Sequence, residues 1–193
     1  MNRSFSLFGG LALAMSLVLS TAARADDYKS DPVHSFVVFD VHHLNAGFVY
    51  GTFVGPTGDI TYDPDDLSKT KFDLSVDTDS IDTRNENRNK DLKGPDFFDA
   101  KQYPTLTFKS TSVKKTGDNT MDVTGDLTVR GQTKSVTVSM EMTGTGTGMR
   151  GETRTGFQTS FTIDRRDYGM TADPEPVIGN TIHIIVAIEA IKQ

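Results

Sequence analysis

From Phe36 onward the chain alternates apolar and polar residues with period two, the mark of strands that bury one face. "FVVFDVHHL" places Val37, Phe39, Val41 and His43 on one side, and "KFDLSVDTDSI" sets Phe72, Leu74 and Val76 against Asp73, Ser75 and Asp77. The same reading aligns Leu106 with Phe108, and Met121, Val123, Leu127 and Val129 with one another. It then groups Val136, Val138, Met140 and Met142, next Phe157, Thr159, Phe161 and Ile163, and last Ile182, Ile184, Val186, Ile188 and Ala190. With "GFVYGTFV" and "GDITYDP" added, the pattern predicts about eight strands. Turn-forming clusters separate them, among them Gly55-Pro56-Thr57-Gly58, Asp63-Pro64-Asp65-Asp66 and Arg130-Gly131-Gln132, so antiparallel meander-like pairing follows. Helical periodicity is confined to Asn85–Leu92, before Pro95.

Evenly spaced strands with polar outer faces leave two solutions, a sandwich or a closed barrel. The inner-face residues mix large and small side chains and the chain has no tryptophan, which favours a barrel that keeps a cavity.

The first 25 residues stand apart. Arg3 leads into an apolar run from Phe5 to Leu19, followed by Ala23-Arg24-Ala25, the build of a cleavable secretory leader. Residues 26–193 then form a single domain. Its 18 basic and 26 acidic residues give a formal charge of −8, which argues against nucleic acid as a partner. No later stretch approaches the roughly 20 apolar residues of a membrane span, so stable membrane insertion is not expected. Cysteine is absent, which excludes thiol catalysis and Cys-ligated metals. An exported chain without a cysteine for lipidation fits the periplasm, with secretion further out left open.

Candidate chemistry is sparse. His42 and His43 are neighbours on a strand and point to opposite faces, so they do not hold one metal together; Asp40 and His42 share a face, but a zinc site needs three or four ligands. Ser35 beside His34 has no nucleophile elbow. The runs "DPDD" and "DTDSIDT" read as solvated turns. Phe97 and Phe98 are different: two large rings in a polar connection bracketed by Pro95 and Pro104 act either as a plug at one end of the core or as a lid over a cavity.

The ordered blocks "DPVHSFVVFDVHHL", "GTF", "SIDT", "NRNKDLKGPDFF", "YPTLTFKSTSV", "VTGDLTVRGQTKSVTV" and "DRRDYGM" resemble the YceI-like family of exported, lipocalin-like proteins, from about Asp31 to the C-terminus. The resemblance implies an all-β fold, an elongated antiparallel barrel of about eight strands with one short helical connection, whose apolar bore holds a polyprenyl lipid, the tail of an isoprenoid quinone or another long-chain amphiphile. It brings no catalytic residues, no cofactor and no metal. Two departures stand out: Arg88-Asn89-Lys90-Asp91-Leu92 where the family often has Arg-Asp-x-His-Leu, and Asn180 after Gly179 where it often has an acid.

Strand parity combined with that resemblance assigns Phe39, Val41, His43, Phe53, Leu74, Phe108, Val138, Phe161 and Ile184 to the bore, with Phe97 and Phe98 near one end. His43, partly desolvated beside Phe39 and Val41, is expected either to meet a ligand hydroxyl or carbonyl or to serve structurally. The function expected is transport, storage or shielding of an isoprenoid chain. The rivals are an interaction module with a packed core and an enzyme that uses His43 on a bound amphiphile; a homodimer is left open.

Overall fold

The alternating segments pair as antiparallel strands in a computed structural model that describes residues 25–193; apart from Ala25, the leader read over residues 1–25 lies outside the described residues. In chain order the elements are β1 (Asp26–Ser30), β2 (Phe36–His43), β3 (Gly47–Val54), β4 (Thr57–Tyr62), β5 (Lys71–Asp77), β6 (Ile81–Asp82), α1 (Glu86–Leu92), β7 (Thr105–Lys115), β8 (Thr120–Val129), β9 (Gln132–Thr147), β10 (Thr153–Asp164) and β11 (Ile178–Lys192). Eight of the strands close into a ring in the order β1-β4-β5-β7-β8-β9-β10-β11, and pairing of Tyr28 with Lys192 and Ser30 with Ala190 completes it.

The remaining three strands prolong that ring at its other end. There β2 replaces β1 beside β11, β3 replaces β4 beside β2, and β6 extends β5 to pair with β3 at Ile81 and Asp82. The barrel therefore has eight staves, three of them broken. Each break has a local cause: Pro32, which lacks an N–H for the ladder, lies between β1 and β2, and Gly55 at φ 69° with Pro56 bends the second stave. A 3-10 turn, Thr78–Ser80, capped by the Asp77 carboxylate through the Asp79 N–H at 2.8 Å, interrupts the third.

The closing strand β1 was not legible as a strand. Its sequence "DDYKS" is mostly charged, yet Tyr28 and Ser30 point inward and are buried. The run "DPDD", expected to be solvated, is a second correction: Asp63 is fully buried, and its Oδ1 accepts the N–H groups of Asp65 and Asp66 at 3.0 Å each. A carboxylate that satisfies turn donors close to the core replaces the water expected there. The short helix forms where expected, with Asn85 as N-cap accepting from the Arg88 N–H at 3.0 Å.

One end of the barrel is solid. Tyr28, Ile60, Tyr62, Phe72, Met121, Val123, Phe157, Ile188 and Ala190 pack there as one cluster. Phe157 stands edge-on to both Tyr62 and Phe72, at centroid distances of 5.3 and 5.2 Å, a favoured aromatic geometry. Outside this end, Arg154 fastens β10 and β11 to the break after β1. Its guanidinium bonds the carboxylates of Asp31 at 2.8 Å, Glu152 at 2.8 Å and Glu189. Asp31 also receives the His34 ring at 2.8 Å.

The ligand-like cluster of Asp31, His34 and Glu189, whose oxygen and nitrogen atoms lie within 4.8 Å of one another, is thus built around the Arg154 cation. Hydrogen bonds from His34 and Arg154 hold the Asp31 carboxyl well below the usual carboxylate range. Hydrogen bonds from Arg166 hold Asp164 at about 2.

Both depressed acids stabilise the fold fully above the unfolded carboxylate value of about 4, and that contribution is lost as pH falls toward their folded values. The urea midpoint is expected to hold constant between pH 7 and pH 5 and to fall progressively below pH 4. Asp31→Asn is expected to flatten part of that slope while lowering the midpoint at pH 7. Denaturation curves at pH 7, 5, 4 and 2.5 check this; an acid slope unchanged by Asp31→Asn would contradict it.

Candidate functional site

Above the solid end the barrel is hollow. A cavity of about 470 Å³ runs from Val138, Met140, Thr159 and Ile188 at its floor to His43, Val177 and Ile178 at its mouth. Along β11 alone the inward residues Ile188, Val186, Ile184, Ile182 and Ile178 line it, a path of about 30 Å at the rise of an extended strand. The lining is almost entirely hydrocarbon, and the volume falls in the range of small-molecule sites.

The nine residues assigned from strand parity, Phe39, Val41, His43, Phe53, Leu74, Phe108, Val138, Phe161 and Ile184, line this one space together with Phe97 and Phe98 of the connection. Register explains the agreement. Phe161 faces Ile184, Ile184 faces Phe39, and Leu74 faces Phe108, so the inward rows of neighbouring strands meet. His43 points inward and is exposed, because it ends β2 at the open rim where no strand lies above it. His42 turns to the outer face and packs on Phe48, with ring centroids 4.8 Å apart.

Two glycines keep the bore open. A Cβ on Gly51 would lie 2.3 Å from the Phe39 ring, and one on Gly125 would lie 2.5 Å from the Phe108 ring. Each ring lies down over a glycine and so covers the wall instead of crossing the lumen.

The polar groups of the lining are concentrated at the mouth, where Arg88, Asp91, Arg165 and Asp173 join His43. Arg165 is buried, and its five N–H donors are all taken by backbone carbonyls. Nε donates to Gly179, Nη1 to Met170 and Ala172, and Nη2 to Asp173 and Ile178, over 2.6–3.2 Å. Burial lowers its proton affinity, but a guanidinium remains charged in proteins. With no donor left, Arg165 holds the 170–179 segment in place and has nothing to offer a ligand.

Arg130 extends the same device. It sits in the β8–β9 hairpin turn at φ 49°, beside Gly131 at 70°, and donates to the carbonyls of Gly169 and Pro95. Arg88 is different, since only Nε and Nη2 are engaged, at Thr83 Oγ1 and the Thr83 carbonyl, 2.8 and 2.7 Å away.

Helix α1 and the aromatic pair cover the side where β3 loses its partner beyond Thr52. Phe98 stands edge-on to Phe53 at 5.3 Å, and its N–H bonds the Leu92 carbonyl at 3.0 Å. Phe97 and Phe98 are both half-buried and both line the cavity, so the connection forms a cover over open space. Asn89 latches this cover to β6. Its Oδ1 accepts from the Thr83 N–H at 2.8 Å and the Thr83 hydroxyl at 2.6 Å, while Nδ2 donates to the Asp82 carboxylate at 3.1 Å. An aspartate at that position could not make the last bond. At the second departure, the acid comes from the loop, since the Asn180 N–H donates to Glu175 Oε1 at 3.0 Å.

Parity reasoning stopped short of Arg165, although the signal was there. It continues the inward series Phe157, Thr159, Phe161, Ile163, and a charge at an inward position demands internal partners.

A lysine has three donors for the five carbonyls Arg165 satisfies, so Arg165→Lys is expected to cost about 2–4 kcal/mol. The loss should concentrate in faster amide exchange of residues 170–179. Gly51→Ala is expected to swing the Phe39 ring into the lumen at a cost of about 1–3 kcal/mol, with reduced uptake of any apolar ligand. Exchange mass spectrometry and urea denaturation test both.

The sequence profile of the YceI-like domain matches residues 28–190. Protein YceI of Escherichia coli O17:K52:H18 is 37% identical over 186 residues, covering 95% of this chain and 96% of that protein, and Protein YceI of Salmonella newport is 36% identical over the same length. Among solved structures, Burkholderia cenocepacia BcnA superposes with a TM-score of 0.76 at 23% identity, covering 83% of this chain and 98% of BcnA. The Campylobacter jejuni YceI protein gives 0.71 at 29% identity, covering 78% and 89%. A polyisoprenoid-binding domain from Saccharophagus degradans gives 0.67 at 17% identity, covering 86% and 98%. Closed eight-stave barrel, apolar bore and profile agree, and the chain belongs to the YceI-like family.

Proposed function

We propose that this protein is an exported, periplasmic carrier that sequesters a long-chain isoprenoid lipid, a polyprenyl species or an isoprenoid quinone, in its barrel. The observation that carries the reading is the bore: an elongated hydrocarbon-lined cavity, closed at one end by packed aromatics, with its polar groups gathered at the other. That distribution suits a ligand with a long apolar chain and a polar end at the mouth. The description of the Saccharophagus degradans domain as polyisoprenoid-binding supports the chain chemistry, and the leader-like residues 1–25 support export.

The energetics favour a chain over a compact ligand. Each isoprene unit buries five carbons, worth about 4 kcal/mol at ~0.8 kcal/mol per carbon before ordering costs are subtracted. Affinity then scales with the length of chain inside, and the head group need contribute little. Arg88, the exposed His43 and the carboxylates of Asp91 and Asp173 are the mouth groups with hydrogen-bonding capacity to spare for such a head. The role proposed is binding, with no bond made or broken in the ligand.

Protein purified without detergent from the periplasm of its host is expected to carry an extra mass equal to one polyprenyl or quinone molecule in native mass spectrometry, released by solvent extraction. Bare polypeptide that also fails to take up added polyprenol or quinone would refute the reading and favour an interaction module.

A further inference from the structure

The hairpin joining β2 and β3 overhangs the mouth and has a composition unlike the rest of the surface. Between Val41 and Gly51 the chain has no Asp, Glu, Lys or Arg, in a protein that is 24% charged. Leu44, Phe48 and Tyr50 are 54%, 59% and 61% exposed. Leu44 is also conformationally out of place. It and Asn45 are consecutive residues at φ 55° and 52°, and the Ala46 N–H bonds the His43 carbonyl at 3.0 Å. Such a turn favours Asn, Asp or Gly at both central positions, and a leucine there works against the turn while presenting its side chain to solvent.

The tip adjoins the bore directly. The Leu44 N–H bonds the carbonyl of Val177 at 3.1 Å, and Val177 both lines the cavity and is 40% exposed. An apolar path therefore leads from the lumen over the rim to the hairpin. Along the outer face of β3, Phe48 lies near the tip and Tyr50 about 7 Å further up at the rise of a strand. Apolar residues below and a tyrosine above match the depth profile of an interfacial segment, which seats roughly 5–10 Å into the headgroup and acyl boundary.

We propose that the β2–β3 hairpin is a bilayer-docking tip that seats the mouth on a lipid surface, so that cargo enters and leaves the bore without crossing water. The inference rests on the carrier reading for its cargo, but the docking event does not require cargo. Because the tip has no formal charge and the chain as a whole is acidic, the contact is apolar and directed at zwitterionic lipid. It should persist at high salt, unlike binding through a basic patch. The exposed Phe36 and Val54, further from the tip on the same wall, make a second copy of the chain the competing occupant.

The test is flotation of the full mature protein, free of cargo, with phosphatidylcholine vesicles at 0.1 and 0.5 M salt, for wild type, Leu44→Asn and Phe48→Thr. Leu44→Asn suits the turn better and should leave the thermal midpoint unchanged or raised. Each variant is expected to reduce vesicle partitioning about tenfold, with no loss at high salt for the wild type. Transfer of a dansyl-labelled polyprenol from protein to vesicles should speed up in proportion to vesicle concentration, and both variants should slow it while still retaining the probe.

Absence of wild-type flotation, or variants that float like wild type, would overturn the docking tip. Variants that instead convert a dimer to a monomer, with no vesicle binding by either form, would assign the surface to a second copy. If the wild type floats but does not retain the polyprenol, the carrier reading fails and the docking surface stands.

Discussion

A barrel with a cavity along its axis cannot hold its open end by packing alone, and the guanidinium of Arg165 adds to the buried cluster of Tyr168 and Met170 with Phe39, Phe53, Val76, Leu106 and Val129 the hydrogen bonds that fix the rim. Hydrophobic cohesion grows with contact across the lumen, and a cavity of about 470 Å³ reduces it there to the cluster around Tyr168 and Met170. The segment beyond β10 must still return over the rim before β11 begins. Five carbonyls from Met170 to Gly179 converge on one buried cation, and Arg130 ties the neighbouring Gly169 and Pro95 carbonyls. Carbonyls that would otherwise face an apolar space are satisfied, and the rim is fixed by contacts within the protein itself.

Division of labour between the two ends follows from the same constraint. At the floor, Phe157 with Tyr62 and Phe72 fills the barrel and supplies conventional core stability. At the mouth, hydrogen bonds to backbone, a short helix latched by Asn89 and the half-buried pair Phe97 and Phe98 define the opening. Between them, Gly51 and Gly125 let Phe39 and Phe108 lie along the wall. The cavity is thus a built feature, since side chains at those two positions would push the rings into it.

The His42-His43 step that interrupts the first long strand resolves simply. Strand parity separates the two rings, His42 onto the outer wall against Phe48 and His43 onto the inner side at the rim. Titratable groups elsewhere form paired structural sites, such as Asp31 with Arg154 and His183 with Asp40 at 2.9 Å. The lumen is left to hydrocarbon.

Period-two alternation alone determined which side chains face inward, because neighbouring residues of a strand must point to opposite faces, and Phe39, Leu74, Phe108, Phe161 and Ile184 could be placed from it. The absence of cysteine and the short helix over Glu86–Leu92 were equally local and equally legible. What alternation could not decide was whether inward residues fill the space they face. That depends on barrel closure, made by the charged strand Asp26–Ser30, whose partner Ala190–Lys192 is more than 150 residues away. Nor could it show that Asp63 is buried, that Arg165 gathers five carbonyls, or that His43 stands exposed at a rim. Each of these follows from where distant segments end in space, and only the closed barrel brings those ends together.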